Sequence, residues 1–199
     1  MQRKTPDVLR GLGSVPHLSD MYHRQGYTVK CHAFTLYQGK PTWTNLVPSS
    51  SKVSIQHLKE EDLDNVLHYD QSLHPFKREE YVKKSLMHDK ETAFVAKKGE
   101  QMVGFGAYHL TGTKYKVAPW YADTAGIAEA LLRRLMEMAH KQGNNEVFVE
   151  SMAHNACSSI MKKCDLQEVC QLQIQFTKKP FHIDIDKVFS PFPLDVFCI

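Results

Sequence analysis

Residues 116–132 read KVAPWYADTAGIAEALL, and this stretch decides the fold. Its beginning predicts the end of a strand, its middle predicts a turn, and its end predicts a helix with one apolar face. The first N–H groups of a helix have no partner inside the helix, so a strand that leads into a helix start is a common site for phosphate groups. The stretch therefore predicts a fold that mixes strands and helices, with an anion site at their junction.

The composition excludes several classes of protein. The 199 residues carry a net charge of only +3, which gives no basic surface and predicts no nucleic-acid partner. No apolar run is long enough to cross a bilayer, and the basic start of the chain is not followed by the apolar core of a secretory signal, so no membrane partner is expected. The 5 cysteines lack CxxC spacing, which predicts reduced thiols, no metal site and a cytoplasmic or nuclear location.

The apolar periodicity predicts the order of elements after residue 52. From Val53 the pattern indicates a strand, two helices, three strands, a long helix, a strand, a short helix and two strands. Gly104 and Gly106 lie on the same face of one of these strands. Glycine weakens a strand, so this pair predicts that something such as a ligand approaches that face closely; the alternatives are a β-bulge and a tightly packed helix.

The chain also contains an internal repeat. A shift of 139 residues places Cys31 on Cys170 and Pro41 on Pro180, and both copies read helix, turn, alternating strand and Lys-Pro. We therefore interpret residues 1–45 as the C-terminal helix–strand tail of a preceding domain, 46–52 as a linker and 53–199 as a whole domain. Because a lone helix–strand unit cannot bury its apolar face, the tail should pack on the main domain or be poorly ordered.

The element order and the opening stretch resemble the GNAT superfamily of acyl-CoA-dependent N-acyltransferases. More narrowly, they resemble the second domain of tandem GNAT proteins that carry a Tyr-Ala-Asp loop. The residues that fit the family pattern, with one extra residue allowed in the loop, are Val117, Pro119, Tyr121, Gly126, Ile127, Ala128, Ala130, Leu131, Leu132 and, after the fifth strand, Asn155. The resemblance implies an α+β fold in which helices flank a central, twisted, mostly antiparallel sheet.

The resemblance implies acetyl-CoA or another acyl-CoA as the co-substrate, without a metal. The pyrophosphate would bind the N–H groups of a loop from Ala122 to Ile127 and the following helix start. The thioester would lie between splayed fourth and fifth strands, where a backbone N–H stabilises the developing oxyanion. The implied cofactor-binding residues are Val117, Ala118, Pro119, Asp123, Thr124, Ala125, Gly126, Ile127 and Asn155.

The implied reaction is acetyl transfer to an amine of a small molecule or amino acid, by direct attack in a ternary complex. Glu150 is a candidate base and His154 a candidate proton relay, although a solvated strand-end acid and an ordinary loop histidine are the simpler interpretations. Tyr108, His109 and Trp120 are candidates for the acceptor groove; only one of the first two can face it, and Trp120 is either part of the groove wall or a packing residue. The implied protein partner is a second copy of the chain or a neighbouring GNAT domain.

Three positions depart from the family pattern. Asp123 replaces the first loop glycine, Ala122 replaces a basic residue or Gln, and the position of a catalytic tyrosine falls on Met161 or Lys162. Asp123 would either cap the helix, at about 1 kcal/mol, or point outward and leave the N–H groups free. These departures support an alternative function, a catalytically degenerate binding or dimerisation module of a tandem protein.

Overall fold

A computed structural model describes residues 9–75, 77–153, 155–180 and 182–192, without the side chains of His32 and Asn155. Within these ranges the strands are β1 (Gly11–Ser14), β2 (Val29–Gly39), β3 (Ser54–His57), β4 (Glu91–Lys98), β5 (Gln101–Thr111), β6 (Lys114–Ala122), β7 (Glu146–Met152), β8 (Gln167–Phe176) and β9 (Val188–Ser190). The helices of five or more residues are α1 (Ser19–Arg24), α2 (Leu63–Leu73), α3 (Glu79–Leu86), α4 (Ala125–Lys141) and α5 (Asn155–Lys163). The expected α+β fold is confirmed.

The strands form one sheet in the order β1-β8-β2-β7-β6-β5-β4-β3, and β9 joins it at β6. The pair β6–β7 is parallel, and the other strand pairs in the described ranges are antiparallel. Antiparallel neighbours can be joined by a tight hairpin, as β4–β5 and β5–β6 are, whereas parallel neighbours need a longer crossover. Helix α4 supplies that crossover, because it connects β6 to β7.

The two glycines of β5 lie beneath α4. A Cβ atom on Gly104 would lie 3.1 Å from Leu131 Cδ1 and 2.6 Å from the carbonyl oxygen of Tyr121, and one on Gly106 would lie 3.1 Å from Leu135 Cδ1. The close approach predicted from the sequence is therefore made by a packed helix rather than by a ligand. Phe105 points to the opposite face, where Tyr69 of α2 contacts its ring.

The leading strand β2 lies inside the sheet, between β7 and β8. Leu36 is opposite Glu150 on one side and Cys170 on the other. The leading segment therefore packs within the main sheet, and it adds a strand, β1, that the glycine-rich sequence did not predict. The division at residues 46–52 remains a prediction; this segment is tied to α4, because the N–H of Val47 donates to Glu129 Oε1 at 2.8 Å.

Two smaller expectations concern the membrane and the cysteines. Within the described ranges, no helix combines the length and the apolarity needed to cross a bilayer. The four described cysteines are free thiols. Burial raises the pKa of the Cys157 thiol to about 12, so it stays protonated and unreactive at neutral pH.

Candidate active site

Strands β6 and β7 separate part of the way along their length. They pair from Lys114 and Glu146 up to Val117 and Val149, while β6 continues to Ala122. We call this point of separation the fork. The sequence predicted a loop from Ala122 to Ile127; instead the strand includes Ala122, and the loop consists of residues 123–124 because α4 begins at Ala125.

The start of α4 keeps two unused hydrogen-bond donors. Thr124 caps the helix, since its Oγ1 accepts from the N–H of Ile127 at 3.3 Å. Within the described ranges, no group accepts from the N–H of Ala125 or Gly126, and both residues are exposed. These two N–H groups, together with the positive end of the helix dipole, favour an anion.

Asp123 is not the cap that the sequence suggested. Its Oδ1 accepts from the Tyr69 hydroxyl at 3.1 Å and lies 3.2 Å from Lys187 Nζ. Burial and the Asp123 carboxylate together raise the pKa of Tyr69, which remains a donor. Asp123 therefore leaves the helix N–H groups free, but it places a negative charge beside them.

A half-open groove of about 350 Å³ adjoins the same helix start. Thr124 and Gly126 line one side of it, and Lys52 and Lys98 line another. Both lysines are exposed, so their ammonium groups add positive charge beside the free N–H groups. The residues around the start of α4 therefore fit a phosphate-bearing ligand.

Four charged side chains form a row across β4, β5, β6 and β7, ending at the fork. Glu91 is opposite His109, which is opposite Lys116. Glu91 Oε1 lies 2.9 Å from His109 Nδ1, and Lys116 Nζ lies 2.9 Å from Glu150 Oε2. We call these residues the charged row. Glu150, the base suggested by the sequence, lies just past the fork and is neutralised by Lys116.

Glu91 is better suited than Glu150 to act as a base. Its side chain is only 11% exposed, and its Oε2 makes no hydrogen bond within the described ranges. Burial raises the pKa of Glu91 to about 7, whereas burial and the nearby cationic groups of His88, Lys90 and Lys116 lower the pKa of His109. Just above neutral pH the pair is therefore a carboxylate beside a neutral imidazole, which can accept a proton.

Sequence reasoning missed Glu91, and the structure decides between the alternatives that it left open for Tyr108 and Trp120. Tyr108 and Trp120 are fully buried on the α4 side: Tyr108 donates to Gln142 Oε1 at 2.6 Å, and Trp120 Nε1 donates to the carbonyl of Ala128 at 2.9 Å. They do not line an acceptor groove, which leaves His109 as the residue of the pair that faces the other side. An acid at the first position of an apolar strand was the only signal for Glu91.

The other candidate residues lie in or next to α5. His154 lies outside the described residues, and Asn155 begins α5 as expected. Met161 is fully buried and Lys162 is exposed, so neither occupies the role of a catalytic tyrosine. Among the described residues, no group of three or more His, Cys, Asp or Glu side chains could hold a metal ion.

The space beyond the fork is filled by the chain's own residues 188–192. Trp120 is paired with Ser190 and Tyr121 with Val188, and the Ser190 hydroxyl donates to the carbonyl of Val117 at 3.1 Å. Strand β9 also packs against β7. All of residues 188–192 are buried, so this segment separates the diverging strands. The predicted terminal strand is thus confirmed for 188–190, and residues 193–199 lie outside the described ranges.

Known structures share this fold at low sequence identity. A conserved Staphylococcus epidermidis protein of unknown function is 14% identical (TM-score 0.63), and the match covers 85% of this chain and 72% of that one. A GCN5-related N-acetyltransferase from Kribbella flavida is 13% identical (TM-score 0.59), over 84% of this chain but only 42% of that one. The ribosomal-protein-S18-alanine N-acetyltransferase of Escherichia coli is 17% identical (TM-score 0.50), over 62% and 92%.

Sequence comparison identifies the family. No curated protein matches the chain significantly. Residues 66–190 match the family described as Acetyltransferase (GNAT) domain, which spans α2 to β9 and includes the fork, the start of α4 and the charged row. The chain therefore belongs to the GNAT acetyltransferases.

Proposed function

We propose that this protein transfers an acetyl group from acetyl-CoA to the amine of a small molecule or amino acid, by direct attack in a ternary complex. The observation that carries the proposal is the fork, which leads along β6 to a helix start with two free N–H donors. The N–H groups of Ala125 and Gly126, with Lys52 and Lys98 nearby, would hold the phosphates of the cofactor. The fork fits the thioester only when residues 188–192 have moved away.

The charged row supplies the proton chemistry in this proposal. An attacking amine must lose a proton, and a base with a pKa near the working pH is the most effective acceptor. His109 lies on the strand next to β6, about 5 Å from it. It would take the proton from an amine placed at the fork, and Glu91, in contact with its ring, would stabilise or receive that proton.

The acceptor, the partners and the location belong to the same proposal. The small amine would bind on the face of the sheet that carries the charged row, and a second copy or a neighbouring GNAT domain is the proposed protein partner. Free thiols in the described residues agree with a reducing compartment such as the cytoplasm or nucleus. Neither nucleic acid nor a membrane is part of the proposal.

A second function is favoured by the filled fork. Residues 188–192 occupy the place of the thioester, and Asp123 sets a negative charge beside the proposed phosphate site. Both features suit a GNAT domain that has lost catalysis and serves as a binding or dimerisation module.

Calorimetric titration with acetyl-CoA, followed by an acetylation assay over a panel of amino acids and small amines, tests the proposal. We expect binding and acetyl-CoA-dependent acetylation of at least one amine. The absence of heat and of any thermal shift at millimolar cofactor would exclude the proposed function. Binding without a product over the whole panel would favour the second function.

Replacing Asp123 with Asn should tighten acetyl-CoA binding. The substitution removes a negative charge next to the phosphate site and releases Lys187, so the expected gain is about three- to tenfold in affinity. Titration calorimetry at low ionic strength measures it. Asp184→Asn is the control, because Asp184 also lies near Lys187, at 4.0 Å, but not at the start of α4. An unchanged or weaker affinity for Asp123→Asn would show that Asp123 does not oppose the cofactor.

A further inference from the structure

Residues 188–192 make specific contacts with the rest of the protein. Strand β9 pairs with the part of β6 that lies beyond the fork, and it uses the edge that β7 has left. The ring of Phe189 packs on Trp120 at 4.9 Å between centroids, on the α4 side of the sheet. Its carbonyl oxygen lies 3.7 Å from the Cys157 sulfur of α5. The segment is therefore held by two elements near the fork, β6 and α5.

Phe192 fills the opposite side. Its ring lies 5.4 Å from Tyr81, 6.0 Å from Tyr121 and 6.3 Å from Phe105, and the Arg78 guanidinium lies 5.0 Å above it. Its N–H donates to the Tyr121 hydroxyl at 3.3 Å. This aromatic pocket is on the face that carries α2 and the charged row, where the proposed function places the acceptor. One short segment thus occupies both the thioester position and part of the acceptor position.

Lys187, the residue that precedes the segment, contacts Asp123 beside the phosphate site. Lys187 Nζ lies 3.2 Å from Asp123 Oδ1, directly ahead of the free N–H groups of α4. A phosphate bound at those N–H groups would compete with Asp123 for this ammonium. Cofactor binding at the start of α4 therefore weakens the anchor of the same segment that blocks the fork.

We infer that residues 188–192 act as an internal plug that competes with acetyl-CoA for the edge of β6. This inference rests on the proposed function. In the plugged state the fork and the aromatic pocket are closed, and the cofactor binds only the fraction of molecules in which the plug has left. Its apparent affinity is reduced by that fraction. Loosening the plug raises the affinity without adding any contact to the cofactor.

Hydrogen–deuterium exchange of the wild-type protein provides the first test. Acetyl-CoA should accelerate exchange in peptides that cover residues 188–192, because the plug leaves β6, and should slow exchange at residues 124–128. Cofactor binding that leaves residues 188–192 unchanged or slower would overturn the plug and leave the proposed function intact. This measurement uses only the wild-type protein, so it tests the plug even if a variant fails to fold.

Phe192→Ala provides the second test. Removing the ring from its pocket favours the open state, so the variant should bind acetyl-CoA about tenfold more tightly than the wild type. Phe176→Ala is the matched control: Phe176 is a buried phenylalanine of β8 that lies away from the fork, so its variant should lose stability without gaining affinity.

The outcomes separate the two proposals. Tighter binding of acetyl-CoA by Phe192→Ala than by the wild type would support the plug. Equal affinities for Phe192→Ala and the wild type would overturn the plug only. Absence of binding by both proteins would overturn the proposed function and the plug with it.

Discussion

Glu91→Gln should lower kcat about 100-fold, which is the lower end of the usual contribution of a general base. The amide keeps the shape of the carboxyl group but can neither accept a proton nor stabilise a protonated His109. In the wild type, kcat should rise with pH through about 7, where the buried Glu91 loses its proton, and the variant should lack this step. The assay is thiol release from acetyl-CoA with the best amine of the panel. Glu168→Gln, an exposed glutamate of β8, is the control.

A second readout for Glu91 requires no acceptor. Burial raises the pKa of Glu91 from 4.5 to about 7, so the folded state prefers the neutral acid. Its contribution to stability is complete below pH 4.5 and is lost as the pH rises to about 7. Urea denaturation should therefore show the wild type losing stability relative to Glu91→Gln over this interval. Parallel pH profiles of the two proteins would contradict a buried, titrating Glu91.

Arg78→Met should lower the free energy of unfolding by about 3–5 kcal/mol, since it removes one partner of a buried ion pair. Arg78 contacts Asp70 through two nitrogens, at 2.9 and 2.5 Å, and both side chains are almost fully buried, at 6% and 5% exposed. In the wild type, burial and the Arg78 charge lower the pKa of the adjacent His74 to about 4, so Arg78 is the cation that balances Asp70 at neutral pH. Urea denaturation at pH 7 measures the loss.

Two further variants identify the cause of that loss. Asp70→Asn combined with Arg78→Met should recover part of the stability, because the uncompensated carboxylate is then gone. Lys84→Met breaks an ion pair with Glu80 in which both side chains are at least 80% exposed, and it should leave the urea midpoint nearly unchanged. A small loss for Arg78→Met, similar to that of Lys84→Met, would show that the buried pair is not a main source of stability.

The sequence predicted the elements whose pattern is local. The stripe of Ile127, Leu131 and Leu135 predicted α4, because the helical period alone selects the buried face. The match of the opening stretch to the family pattern predicted the sheet, since it specifies a strand, a short connection and a helix. These features depend only on residues that are close together in the sequence, and the structure confirms them.

The errors concern positions that depend on distant contacts. The side of the sheet on which Trp120 lies does not follow from simple alternation, because the register between β5 and β6 shifts after Gly106. Glu91 was missed because its burial comes from strands and helices that pack on it after folding. The position of β9 in the fork depends on pairing with residues 120–121, which no local pattern indicates. The site is thus less predictable than the fold, because its chemistry arises from tertiary burial.

The place of β2 between β7 and β8 has a consequence for synthesis on the ribosome. Residues 29–39 emerge roughly 100 residues before either of their neighbours in the sheet, residues 146–152 and 167–176. At roughly 5–20 residues per second, the strand spends several seconds with both edges unpaired, although it contains the core residues Phe34 and Tyr37. Pairing across such sequence distances is slow and exposes strand edges to other chains. We therefore expect the nascent chain to need protection, for example by a chaperone, until β7 and β8 have been made.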